Sequence, residues 1–131
     1  MIVEGGSDTA ALVTNGFAAL GRPSNVGGAR IIGAYLAKRA RGRRCIVIGE
    51  NDRKLERVCT VPQCQPRCPG CAWCWPGRYG AERVAGQLGC EWRMVPEPHK
   101  DVRAWANAAG EEFRDAFRTW AKGPTPMEVI F

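Results

Sequence analysis

The chain has 131 residues, and its 19 Lys and Arg against 13 Asp and Glu leave a net charge of +6. That length suits one domain with one core, and the positive balance favours a polyanionic partner, because phosphates neutralised by Lys and Arg release counterions. No run of 18 apolar residues is present and the start lacks a basic flank followed by an apolar core, so neither a membrane span nor a signal peptide is expected and the expected location is cytoplasmic.

Ile2-Val3 is a short β-type run that passes straight into Glu4. Ser7 to Asn15 reads as a short helix with a Ser/Asp start and Gly16 as its stop, and its amino-terminal dipole favours an anion beside Glu4. Asn25 to Arg39 carries Val26, Ala29, Ile32 and Leu36 at helical spacing. The basic run Lys38, Arg39, Arg41, Arg43 and Arg44 then closes that helix, where it complements the dipole on the edge opposite the acids, as a solvated face or a distal DNA contact.

Cys45-Ile46-Val47-Ile48-Gly49 is the next apolar run, and it enters Glu50-Asn51-Asp52. Both acidic groups therefore fall at the carboxyl ends of strands, where open α/β sheets bind ligands. In extended chain, side chains alternate, so Glu50 and Asp52 should point the same way and share one hard cation. Mg²⁺ is typically held by one or two carboxylates plus waters and substrate phosphates.

Between Asp52 and Gly77 lie Cys59, Cys64, Cys68, Cys71 and Cys74, five of the seven cysteines, with prolines among them. Such a segment has too little apolar surface to form its own core, and C-x2-C spacing can wrap a tetrahedral Zn²⁺ whose binding supplies the missing order. Cys64, Cys68, Cys71 and Cys74 form the most compact ligand set, with Cys59 able to replace one. An iron–sulfur cluster or unligated thiols are the alternatives. Trp73 and Trp75 flank the last cysteines, placed either to stack on bases or to pack the loop on the domain. Cys45 and Cys90 read as ordinary buried thiols.

Ala81, Val84, Ala85 and Leu88 repeat at helical spacing after this insertion, and Cys90 to Val95 reads as a fourth strand ended by Pro96 and Pro98. His99, the only histidine, falls in a loop as a solvated or phosphate-facing residue. Val102, Trp105, Ala106 and Ala109 begin a helical tail, and Phe113, Ala116, Phe117 and Trp120 give it a second apolar stripe. The expected fold is α/β: a Rossmann-like sandwich whose sheet has about four mainly parallel strands. Residues 1–110 form the domain, 53–76 the Cys-rich insertion, and 111–131 a C-terminal helix and tail. Arg22, Arg30, Arg53, Lys54, Arg78 and Lys100 lie in or beside loops on the acidic edge, where a phosphate backbone could be held.

The stretch Val3-Glu4-Gly5-Gly6-Ser7-Asp8-Thr9-Ala10-Ala11-Leu12 resembles the opening motif of Toprim domains, the catalytic fold of bacterial-type DNA primases, type IA and II topoisomerases and some nucleases. Gly16-Phe17-Ala18-Ala19-Leu20-Gly21 resembles the primase strand before a Gly turn. Ile46 to Asp52 resembles the Asp-x-Asp motif and His99-Lys100-Asp101-Val102 the third motif, so the likeness spans about residues 1 to 106. It implies that Glu4 is the acid/base or metal-binding glutamate, that Glu50 and Asp52 bind catalytic Mg²⁺ or Mn²⁺, and that Asp8 and Asp101 are supporting acids. It further implies DNA, RNA and nucleotides as partners, with a flanking primase or helicase domain or protein. Glu50 stands where the family carries its first Asp, and Arg103 where primases often carry another, which bears on any second or third metal. Primer synthesis is the role the resemblance implies. A Toprim nuclease or topoisomerase fragment, and a non-catalytic nucleic-acid-binding module stapled by zinc, are the alternatives.

Overall fold

The computed structural model describes residues 1–54 and 71–123. Four strands, β1 (Ile2–Glu4), β2 (Leu20–Arg22), β3 (Ile46–Gly49) and β4 (Glu91–Met94), form one all-parallel sheet in the order β2-β1-β3-β4. Among the described residues five α-helices accompany them: α1 (Gly5–Thr14), α2 (Ala29–Arg39), α3 (Pro76–Leu88), α4 (Val102–Ala109) and α5 (Phe113–Lys122). All four β3 residues are buried, as an unbroken apolar run at the centre of a doubly covered parallel sheet should be. The α/β class and parallel sheet expected from the alternating runs are therefore present.

Each sheet face has its own core. On one face Val3, Ile46 and Ile48 meet Leu12 of α1, Val102 and Trp105 of α4, and Phe113, Phe117 and Ala121 of α5. On the other, Ile2 and Val47 meet Ile32 of α2 and Ala81, Val84 and Ala85 of α3. The chain thus leaves β1 in one direction along the sheet with α1 on one face, then returns past β1 toward β3 and β4 with α2 and α3 on the opposite face. That is the arrangement right-handed crossovers require, and it places a topological switch point between the carboxyl ends of β1 and β3.

Two boundaries differ from the sequence reading. The second helix starts at Ala29 rather than Asn25, because Gly28 at φ +83° occupies a left-handed conformation that stops a helical turn from extending back through it. The second strand is Leu20–Arg22, later than the Gly16 to Gly21 stretch. The helix of the 111–131 segment shares its core with Val3 and Ile48. There Phe113, Phe117 and Ala121 face inward while Ala116 is exposed. Phe17, Trp105, Phe113, Phe117 and Trp120 form a continuous aromatic cluster, with Phe17 and Phe117 centroids 4.6 Å apart and Trp105 edge-on to Phe113 at 5.3 Å. Such offset and edge-to-face pairs add to the burial of their area. Among the described residues no helix is long and apolar enough to cross a membrane.

Candidate active site

The carboxyl edge of the sheet gathers the acids. Glu4 ends β1 beside Arg22 of β2, its partner in strand register, and Glu50 follows β3 directly. Burial pushes the Glu50 carboxyl up to about 7, and the neighbouring charges of Glu4, Asp8 and Asp101 push in the same direction while Lys100 opposes them. Burial also raises Glu4, against the pull of the Arg22 guanidinium. Glu4 and Glu50 therefore stand on either side of the switch point, each paying a desolvation penalty that a hard cation would offset.

Arg22 is 1 % exposed. Its guanidinium donates to the main-chain carbonyls of Asn25 and Ile48, and its positive charge acts on both Glu4 and Glu50. It is thus a buried cation behind the acids, not a surface group reaching for phosphate, which corrects the loop position expected for it. Asn25 is the keystone of this corner: besides accepting from Arg22, it donates a backbone N–H to Glu4 and its amide reaches the Pro76 carbonyl at 3.3 Å.

The other acids carry structural duties. Asp8 is 3 % exposed and accepts the Val102 and Arg103 backbone N–H groups at 3.1 and 3.0 Å, so it holds the first turn of α4. Asp101 caps the same helix, accepting from the Ala104 N–H at 2.7 Å. Burial raises the Asp8 pKa, and the Arg103 and Val102 N–H groups pull it back. Asp52 accepts the Gly77 N–H at 2.9 Å and so satisfies the start of α3. A side chain at Gly77 could not be accommodated, since its Cβ would lie 2.5 Å from the Glu50 carbonyl and 2.8 Å from the Asp52 carboxylate.

Strand β3 ends at Gly49, so the alternation that would aim Glu50 and Asp52 alike does not continue through them. Asn51 instead ties the loop down, donating its amide to the Val95 and His99 carbonyls at 2.6 and 2.8 Å while its N–H reaches the Lys100 carbonyl. Glu4 is the common neighbour: its charge raises Glu50, and the Asp52 charge raises Glu4. Among the described residues no three His, Cys, Asp or Glu side chains converge on a metal-sized space. The donor set nevertheless fits a hard ion bound through one or two carboxylates and waters, with Glu50 and Glu4 as the holders.

Basic residues surround this edge. Arg30 opens α2, and Arg53, Lys54 and Lys100 are exposed. Trp75 donates its indole N–H to the Glu50 carbonyl at 3.0 Å, with the Arg53 and Arg78 guanidinium groups each 5.4 Å from its ring centre. Arg78 also lies 5.6 Å from Trp92. Arg53, Trp75, Arg78 and Trp92 therefore form an alternating ladder beside the acids, which the sequence reading of separate loop cations did not anticipate. Trp73 is 52 % exposed, and His99 stacks on Trp105 at 6.0 Å rather than standing free in solvent.

Of the proposed zinc ligands, Cys59, Cys64 and Cys68 lie outside the described residues. Cys71 and Cys74 are brought into one tight turn, in which the Cys74 N–H points at the Cys71 sulfur at 3.4 Å and the Trp75 N–H bonds the Cys71 carbonyl. Comparison of the chain with protein-family models, with curated proteins and with solved structures gives no match.

Proposed function

We propose that the chain is a Toprim-type domain that performs Mg²⁺- or Mn²⁺-dependent phosphoryl or nucleotidyl transfer on nucleic acid, in a DNA primase-like role. The observation that carries this reading is the pairing of Glu4 and Glu50 across the switch point, with Glu50 held near neutrality by burial and by its acidic neighbours. When bound there, a divalent ion supplies charge neutralisation at the phosphate and orientation of the attacking and leaving oxygens. Glu4, whose carboxyl is raised, takes or returns the proton of the attacking hydroxyl. Arg22 fixes a positive charge behind both glutamates, while Asp8, Asp52 and Asp101 hold the helix starts that frame them. Lys100, Arg30, Arg53, Lys54 and Arg78 line the approach as phosphate contacts, and Trp73 offers an exposed ring for base stacking.

Nucleotide incorporation against strand cleavage on single-stranded DNA, assayed with Mg²⁺ and with Mn²⁺, tests this. Incorporation lost in Glu4→Gln supports the primase-like role, cleavage moves the domain to the nuclease reading, and strong binding without turnover leaves the zinc-stapled binding module. That last reading is favoured by one observation: Asp8, Asp52 and Asp101 each spend carboxylate oxygens on backbone N–H groups, which leaves few acids for chemistry.

A further inference from the structure

The amino edge of the sheet, remote from the acids, holds a second constellation. Ile46 of β3 and Glu91 of β4 are register partners, so the preceding residues, Cys45 and Cys90, begin adjacent parallel strands side by side. The Glu91 N–H bonds the Cys45 carbonyl at 3.2 Å. Both thiols pack under the core between α2 and α3 and are close enough for one to hydrogen-bond the other. Neither is fully buried, which corrects the sequence reading of two ordinary buried thiols. They floor an open cleft of about 330 Å³ whose rim carries Arg41, Arg43 and Arg44. Arg44 is committed to Glu91, with 2.6 and 2.8 Å bonds to its two oxygens, whereas Arg41 and Arg43 are exposed and make no ion pair among the described residues.

We propose that Cys45 and Cys90 are an oxidisable dithiol that closes to a disulfide across the starts of β3 and β4, and that its oxidant is a small anionic disulfide of the glutathione type, drawn in by Arg41 and Arg43. Neighbouring strands stand about 4.8 Å apart, within the roughly 4.4–6.8 Å between Cα atoms that a disulfide spans. One of the two thiols gives its proton to solvent and its thiolate attacks one sulfur of the small disulfide, whose S–S bond breaks to release one thiolate. The other protein thiol gives its proton to that released thiolate and attacks the protein sulfur of the mixed disulfide, and the second small thiolate leaves and takes a proton from solvent. Two protein thiols lose two electrons in total and one small disulfide gains them, yielding two small thiols.

Burial, then the contact and charge of Cys45, raise the Cys90 thiol. The two sulfurs share one cleft, so either can attack and the other resolve.

The experiment incubates the whole wild-type chain with oxidised glutathione or with neutral hydroxyethyl disulfide at equal concentration, followed by alkylation and peptide mapping by mass spectrometry. The expected result is a Cys45–Cys90 cross-linked peptide, formed about tenfold faster with the anionic disulfide at low salt and at similar rates with both in ~0.5 M salt, where charge attraction is screened. The linked form should also melt several degrees higher, as closing a long loop predicts. Both thiols fully alkylated after prolonged exposure would overturn the dithiol. Equal rates with the two reagents at low salt would overturn the role given to the arginines. In Cys45→Ser and in Cys90→Ser the remaining thiol should stop at a stable mixed disulfide; no adduct on the remaining thiol in either variant would overturn the pairing.

Discussion

Glu50 shows how one side chain can tie stability, acidity and ion binding together. Its carboxyl titrates at about 7 in the fold against an ordinary 4.5, so as pH rises the unfolded chain releases this proton first. Glu50 is therefore favourable below about pH 4.5, its contribution is lost between pH 4.5 and 7, and above 7 it is a constant cost. Replacing it with Gln should raise Tm by several degrees at pH 8 and leave it unchanged at pH 4, measured by thermal melts across that range. Ion binding runs the other way, because the carboxylate must be charged: Mn²⁺ affinity of the native chain should fall toward tenfold per pH unit below 7, with proton release visible by calorimetry in buffers of different ionisation enthalpy. A pH-independent affinity would remove Glu50 from the ion's ligands. Arg22 has the opposite character, a charge that cannot leave. Arg22→Met should raise the Glu4 pKa further, followed by NMR titration of the carboxyl carbon.

Helix starts decide the role of the remaining acids. Asp101 caps α4 through Ala104, and Asp8 reaches the same turn from α1, so Asp101→Ala should cost about 1 kcal/mol of stability in denaturant unfolding while leaving divalent-ion affinity within twofold. Asp8→Asn keeps the shape but turns one acceptor into a donor facing an N–H, and should cost on the order of 2 kcal/mol. Loss of ion binding in either variant would make them supporting acids of the ion site and not helix caps alone. This level also marks what was legible in the sequence. The apolar runs at Ile2-Val3 and Ile46-Val47-Ile48 and the spacing of Ala81, Val84, Ala85 and Leu88 announce their elements directly, because period and burial coincide. The burial of Arg22 was not legible: its neighbours Gly21 and Pro23 look like a loop, and only the long-range pairing with β1 makes it a strand residue facing Glu4. Likewise, nothing local tells a catalytic Asp from a capping one, since the N–H groups Asp8 satisfies lie more than ninety positions away.

For the whole molecule, the two unequal edges of the sheet organise expectation. Nucleic acid held at the acidic edge should bind with log K falling linearly in log salt, by about 0.7 per phosphate contact on single strands. Charge reversal at Arg53, Lys54 or Lys100 should weaken binding more than reversal at Arg41 or Arg43, measured by fluorescence anisotropy. The reverse ranking would put the strand on the thiol edge. Under the zinc-stapled reading, elemental analysis should find about one zinc per chain, and a chelator should change Trp73 and Trp75 fluorescence more than helical circular dichroism.

The Lys54 N–H bonds the Cys74 carbonyl at 2.7 Å, so two residues twenty positions apart in the chain are clasped together. The closure entropy of a connection grows slowly with its length, by about 0.6 kcal/mol per doubling, so added sequence between these two residues should cost the fold little. A foreign recognition module grafted there should therefore leave its neighbour Glu50 where it stands.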